Sequence, residues 1–418
     1  MTDAIEQIAA RLERLHPRLI DLSLDRLRGL LVRLDHPEQR LPPVIHVAGT
    51  NGKGSTCAFI RAMAEAAGLR VHVYTSPHLM RFNERIRVAG ALVGDDQLLA
   101  AMQRIERIND AAPITVFEVI TATAFDLFAA TPADLCVIEV GLGGRGDATN
   151  VIGPPAACAI TSISLDHREL LGPSVEIIAA EKAGIMKPGT VVAIGAQPPG
   201  VRRVLLDHAA ALQVPVKLRG RDWHLAPAAN SLRYSDELGS IDAPIPSLPG
   251  LFQQDNAGIA LAALRIAAVP HEASGLAQAE WPARLQRLHG RLAGLLPSGW
   301  ELWLDGGHNP GAGAVLAEHL RGWADRPMHL VVGMKQAKDS AEFLRPLIPA
   351  ADTVWAVREP DQHAALPVEA IIAASGGLAR RGPRVEDALH AMPRTETPAR
   401  VLICGSLYLA GEVLKLDQ

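Results

Sequence analysis

Short unbroken apolar runs alternate with helical-period stretches along the chain. Residues 44–48 (VIHVA) are apolar apart from His46, lie between Pro43 and Gly49, and are too few for a helix, so they read as a buried strand. From 55 to 67, Phe59, Ile60, Met63, Ala64 and Ala67 recur at helical spacing, and Gly68 ends the segment. The pattern continues with a strand at 71–74, an alternating edge excursion at 81–90, helices at 95–109 and 117–130, strands at 134–140 and 157–164, a helix at 176–185 and a strand at 190–194. Crossovers this short imply a parallel sheet. Residues 1–36 read as two helices, with residues 20–22 at their junction after Pro17. Short alternating pieces with Pro and Gly between 222 and 249 suggest a small β subdomain, and 255–268 is an alanine-rich helix. Strands at 301–304, 329–333, 353–357 and 401–404, with helices between, predict a second doubly wound α/β unit. The expected fold is thus α/β: a P-loop-type parallel-sheet domain with a small β subdomain (1–288), then a Rossmann-like domain (289–418).

The turn between the first strand and the first long helix reads GTNGKGST, residues 49–56. Gly49, Gly52 and Gly54 let backbone N–H groups turn toward anionic oxygens, and the helix start adds partial positive charge. Lys53 is placed to reach β- and γ-phosphates, and Ser55 or Thr56 to approach a magnesium ion. Gly54 stands between the lysine and the first hydroxyl, so the spacing departs from GxxxxGK[ST]. The alternative is a glycine-rich surface turn.

Composition narrows the partners. At 418 residues the chain can bury more than one core, and with only 4% aromatic residues those cores must be built from Ala, Leu, Val and Ile. A net charge of −4 gives no electrostatic reason to expect nucleic acid or an anionic membrane. Cys57, Cys136, Cys158 and Cys404 lack CxxC spacing and read as free thiols in a reducing cytosol. The N-terminal segment is an amphipathic helix rather than a signal peptide, and no uncharged apolar run approaches the roughly 20 residues a membrane span needs. A soluble cytoplasmic protein is expected.

Open α/β sheets bind ligands beyond the carboxyl ends of their strands. Three further polar residues, Ser76, Glu139 and His167, fall at such ends. Glu139 interrupts a buried run, and a buried carboxylate needs a partner; a metal ion beside phosphates, an arginine or a helix cap would each serve. His167 is either a ligand or an ordinary hydrogen-bonding histidine, and Ser76 is also common turn chemistry. Lys182, in EKAGI, reads from the residues alone as a surface helix lysine, and Arg291 as a surface charge. Asp305 and His308, in LDGGHNP, close the first strand of the second domain, where DGG and NP are turn formers in their own right.

Taken in order, VAGTNGKGST (47–56), TSPHL (75–79), VIEVGLGGRGDATN (137–150), LDH (165–167), EKAGI (181–185), LDGGHNP (304–310) and GSLY (405–408) resemble the motifs of the folylpolyglutamate synthase / dihydrofolate synthase family of the Mur ligase superfamily. The resemblance covers nearly the full chain and accounts for Gly54. It implies that Thr50, Asn51, Gly52, Lys53, Gly54, Ser55 and Thr56 hold ATP phosphates, with Asn256, Arg291 and Asp305 also contacting the nucleotide. It implies magnesium ligands at Ser76, Glu139 and His167, a carbamylated Lys182, and His308 near the incoming glutamate. Ile20, Asp21, Leu22, Thr115, Val116, Phe117, Glu118, Gly146, Asp147 and Ala148 would form the pterin-side pocket, and IDLSLDRL (20–27) is similar to bifunctional bacterial members. Three positions depart from the family's habit: Gly307 for alanine, Ala337 for a polar residue and His289 for proline.

The expected activity is ATP-dependent addition of L-glutamate to dihydropteroate, and to the γ-carboxylate of folates, through an acyl phosphate. Magnesium is the expected cofactor and Lys53, Lys182 and His308 the expected catalytic groups, in a monomer whose two domains close about a hinge. Rival readings are polyglutamylation alone, a peptidoglycan-precursor amino-acid ligase, and a nucleotide switch. The pterin-like N-terminal segment and TSPHL argue against the peptidoglycan ligase. A switch would not need the second domain, and the chain has no NKxD sequence for reading guanine.

Overall fold

Strand β1 (Val44–Ala48) is buried at all five positions, as a strand with parallel neighbours and covered faces must be. In this computed structural model, which describes residues 2–16, 20–336, 338–393 and 397–418, it lies inside an eight-stranded sheet. Pro17 and Ala337, both invoked above, fall outside the described residues. The other strands are β2 (Val71–Tyr74), β3 (Ile86–Val88), β4 (Ala91–Leu92), β5 (Leu135–Glu139), β6 (Ala157–Ile160), β7 (Val192–Ile194) and β8 (Val216–Leu218). Their order is β4-β3-β2-β5-β1-β6-β7-β8, parallel from β2 to β8, with β3 and β4 added antiparallel at the edge. Chain order reverses at β1, which has β5 on one side and β6 on the other. That switch point opens the crevice in which such sheets hold ligands.

The Thr2–Leu12 and Asp25–Arg33 helices pack Ile5, Ile8, Leu27, Leu30 and Leu31 into the core formed with Ile105, Phe125 and Phe128. The cradle helix starts at Lys53, two residues earlier than the apolar spacing indicates, because Lys53 and Gly54 carry no apolar signal yet take helical dihedrals. The alanine-rich helix spans Leu251–Ile266, also earlier than expected. Residues 199–221, which carry no clear period, hold the Pro199–Ala211 helix and β8; only three residues of that helix are buried. The small β piece is an antiparallel meander of β9 (Trp223–Ala228), β10 (Ser231–Asp236) and β11 (Gly239–Pro244).

A second sheet comprises β12 (Gln286–Leu288), β13 (Glu301–Leu304), β14 (Met328–Val332), β15 (Thr353–Ala356), β16 (Arg380–Arg381) and β17 (Arg400–Cys404), in the order β12-β13-β17-β14-β15-β16. Only β12 runs antiparallel. The edge strands β12 and β16 are short and polar, and the apolar pattern does not announce them. By compactness the chain divides into one unit of Met1–Ile163, Leu171–Ser247 and Gln253–Glu280, and another of Ser164–Leu170, Leu248–Phe252 and Trp281–Gln418. All four cysteines are buried and free. Among the described residues, no helix is long and apolar enough to cross a membrane.

Candidate active site

In the first unit the loop after β1 is tied to the residue beyond β6: the N–H groups of Thr50 and Asn51 both donate to the Ser162 carbonyl, at 2.8 and 3.2 Å. Gly52 is the N-cap, with φ +89, and no side chain caps the helix start, which suits it to an anion. A Cβ at Gly52 would come 2.3 Å from Asn256 Oδ1, so the buried Asn256 is pressed against the turn and only glycine fits there. Asn256 is itself held by a 2.9 Å hydrogen bond to Gln253 Oε1. Lys53 Nζ donates to the Thr50 carbonyl at 3.3 Å. The Ser55 and Thr56 hydroxyls are buried with no protein partner. Register sets Glu139 opposite Val47, and its Oε2 accepts from the Ser76 N–H at 3.2 Å. Burial pushes the Cys57 thiol up, Glu139 adds to the shift and Lys53 opposes it, so both charges bear on the first turn of the helix. A buried carboxylate beside orphaned hydroxyls fits a hard divalent cation bound with phosphate oxygens. Among the described residues, no group of three or more His, Cys, Asp or Glu could hold a metal on its own.

The ten expected pterin-side residues all lie in this unit, and contacts tie several of them to one another. Thr115 and Glu118 form a capping box at the start of the Val116–Ala130 helix. Glu118 Oε2 also accepts from Arg26 Nε at 3.2 Å, while Arg26 Nη1 donates to Asp21 Oδ2 at 3.0 Å, so one guanidinium joins residues 20–22 to 115–118. Leu22 lies against Gly146, where a Cβ would meet it at 3.1 Å, and Phe117 lies against Gly141. Ala148 is buried, Val116 half-buried and Ile20 exposed. Asp147 is fully buried, which raises its pKa, and neutral donors oppose that shift: Leu142 N–H to Oδ2 at 2.8 Å, Thr149 N–H to Oδ1 at 3.0 Å, and the Thr149 hydroxyl. Lys182 is buried at the end of the Val175–Ala183 helix, so its reading as a surface lysine is wrong. Gly144, lacking a side chain, lets the loop lie directly on the Glu181–Lys182 backbone.

The second unit carries its own polar cluster, centred on Asp166. Lys338 Nζ donates to Asp166 Oδ1, Asn309 Nδ2 donates to Oδ2 at 3.0 Å, and His308 Nε2 lies 3.4 Å from Oδ2. Burial works to raise the Asp166 pKa, but His308, Lys338 and His167 override it and hold the carboxyl well below the usual range. His167 Nε2 sits 3.3 Å from Lys338 Nζ. His308 Nδ1 is paired with the Gly306 carbonyl at 2.9 Å. Asp305 accepts from the N–H groups of Leu285 and Gly307, at 2.9 and 2.7 Å. A Cβ at Gly307 would come 2.9 Å from Asp305 Oδ1, so glycine suits this position. Arg291 is exposed, its guanidinium on Glu386 and on the Leu416 carbonyl at 2.9 Å. Asp166, Lys338 and Arg26 join these clusters beside the expected residues, and of the three only Asp166 carries a sequence signal, its place in LDH at a strand end.

The Mur ligase middle domain family model matches residues 47–264, and the Mur ligase, glutamate ligase domain matches residues 284–407. Fold and cradle are therefore those of the Mur-type ATP-dependent ligases. The dihydrofolate synthase/folylpolyglutamate synthase of Escherichia coli is 32% identical over 97% of this chain and 93% of its own. A solved structure of E. coli FolC in complex with DHPP and ADP superposes with a TM-score of 0.88, at 32% identity, over 99% of this chain and 97% of that one. A bifunctional folylpolyglutamate synthase/dihydrofolate synthase with Mn, AMPPNP and L-glutamate bound gives 0.86 at 32%, over 97% and 96%. The chain belongs to the dihydrofolate synthase/folylpolyglutamate synthase family.

Proposed function

We propose that this ligase joins the amino group of L-glutamate to the carboxylate of dihydropteroate, forming dihydrofolate, and to the γ-carboxylate of folates. A carboxylate is a poor acyl donor. Its oxygen therefore takes the γ-phosphoryl group of ATP, breaking the bond to ADP and giving an acyl phosphate. The glutamate amine then attacks the acyl carbon, loses a proton, and the tetrahedral adduct expels phosphate. The observation that carries this reading is the continuous similarity to a relative named for both activities, over 97% of the chain.

Residues 50–56 hold the ATP phosphates, with the N–H groups of 52–55 turned to them; Asn256 seats the turn and contacts the nucleotide, and Lys53 moves from the Thr50 carbonyl to balance phosphate charge. Ser76 and Glu139 would hold magnesium, with His167 as a further donor; when bound, the ion neutralises charge on the phosphoryl oxygens. Lys182 carries a carbamate: its neutral amine adds to carbon dioxide, forming an N–C bond and releasing a proton, which turns a cation into an anionic oxygen donor. A crystal structure grown with carbon dioxide that shows a bare ammonium there would remove this role. His308 orients the incoming glutamate, and Asp305 and Arg291 contact the nucleotide. Residues 20–22, 115–118 and 146–148 hold the pterin side. Buried free thiols and the lack of a membrane-crossing helix among the described residues support a cytoplasmic setting, and the chain is proposed to act as a monomer.

ADP release with dihydropteroate plus L-glutamate tests the first activity, and with tetrahydrofolate plus L-glutamate the second. AMP as product, or no turnover with either pair, overturns the proposal. Turnover with tetrahydrofolate alone reduces it to polyglutamylation.

A further inference from the structure

His46 lies in the middle of β1, fully buried, and none of the steps above uses it. Its Nε2 is 2.9 Å from the Thr149 hydroxyl, 103 residues away along the chain. Proton positions follow from the partners. Both Asp147 oxygens accept backbone N–H groups, from Leu142 and Thr149, so the carboxylate is the acceptor. The Thr149 hydroxyl therefore donates its only proton to Asp147 Oδ1. It keeps a lone pair for His46, so His46 must carry its proton on Nε2 and donate it. That leaves Nδ1 bare, and Nδ1 is buried with no partner. Burial and the ammonium of nearby Lys187 push the His46 pKa down to about 3, so the ring stays neutral and the proton order does not change near neutral pH.

Lys187 fixes the same loop from its backbone, donating to the carbonyls of Asn150, at 2.9 Å, and of Ile152. A hydroxyl that could rotate is thus pinned by a donor on a central strand, and in turn it pins one rotamer of a buried carboxylate.

We propose that His46 is a positioning residue for the acyl-donor substrate, acting through Thr149 to fix the Asp147 carboxylate. The proposal rests on the reading of Asp147 as a contact on the pterin side. A histidine that merely filled the core would affect folding, not one substrate selectively.

The test compares Michaelis constants for dihydropteroate, L-glutamate and ATP in T149V, T149S, H46L, H46Q and D147N, with thermal unfolding to confirm folding. Losing one orienting hydrogen bond in T149V or H46L raises the dihydropteroate KM about five- to tenfold and leaves the ATP and glutamate values within about twofold. T149S keeps the hydroxyl and H46Q keeps an N–H donor, so both bring the dihydropteroate KM back toward that of the wild type. Adding H46L to D147N gives no further rise, because the effect passes through the carboxylate. An unchanged dihydropteroate KM in D147N sinks the reading of Asp147, and the proposal with it. A raised KM in D147N with none in T149V overturns the positioning role alone, as does an equal rise for all three substrates. Should H46L fail to fold, H46F, which keeps a ring without an N–H donor, takes its place, and an unchanged dihydropteroate KM in it overturns the role of His46.

Discussion

In the cradle after β1, the hydroxyls of Ser55 and Thr56 are buried without a protein partner. In the loop after β5, Asp147 and Thr149 are held by each other and by backbone groups, and Lys187, from beyond the Val175–Ala183 helix, donates to the loop's Asn150 carbonyl. Both regions rise from the same sheet, yet only in the second do these side chains find hydrogen-bond partners within the protein. Desolvated polar atoms left unpaired cost stability unless a ligand completes them, whereas a saturated network fixes geometry before any ligand arrives. The cradle hydroxyls are therefore left for a ligand to complete, and the Asp147 carboxylate is fixed beforehand. Substitutions in the cradle should act on turnover and metal demand, and those in the loop on stability or on one substrate.

The largest effect is expected from Lys53→Arg, which keeps charge but not the compact ammonium; kcat/KM for ADP release falls at least about a hundredfold. Normal turnover would show that the cradle tolerates a changed cation and is less demanding than its geometry indicates. The Asp166 carboxylate of the second unit, like that of Asp147, has both oxygens partnered within the protein, so removing one partner should cost stability. Lys338→Met strands a buried carboxylate and lowers the unfolding free energy by about 3 kcal/mol, measured with urea; adding Asp166→Leu recovers part of it. Further loss in the double variant would break the parallel. A smaller change follows from Glu139→Gln, which shifts the magnesium midpoint for activity upward about tenfold; an unshifted midpoint removes Glu139 from the metal site. A change seen only at alkaline pH lies at Lys187, whose pKa burial lowers to about 8. Between that value and its unfolded value of about 10.4, the unfolded chain holds a proton that the folded chain has lost. Its contribution to stability therefore rises with pH across that window, and Lys187→Met should remove the rise, as urea midpoints against pH will show.

The central strands were legible because parallel strands covered on both faces must be almost wholly apolar, as 44–48, 135–139 and 157–160 are apart from His46 and Glu139. Edge strands such as β16, with two exposed arginines, answer to no such rule. The cradle was legible for a different reason: its residues are contiguous, so the strand, glycine turn and helix start are read as one stretch. Arg26 and Glu118 stand 92 residues apart, and Lys338 and Asp166 stand 172 apart, so their chemistry exists only once the chain has folded. Lys182 misled for a related reason. A lysine near a helix end is normally solvated, and its burial depends on a glycine at 144 that allows close backbone approach.

The four buried thiols give the molecule an internal clock. A thiol reagent reaches Cys57, Cys136 or Cys158 only when the first unit opens, and Cys404 only when the second does. Pulsed alkylation followed by peptide mapping would then time each opening separately, without any introduced probe. Labelling of Cys404 ahead of the other three would mark the second unit as the first to loosen, and nucleotide should delay whichever unit it grips.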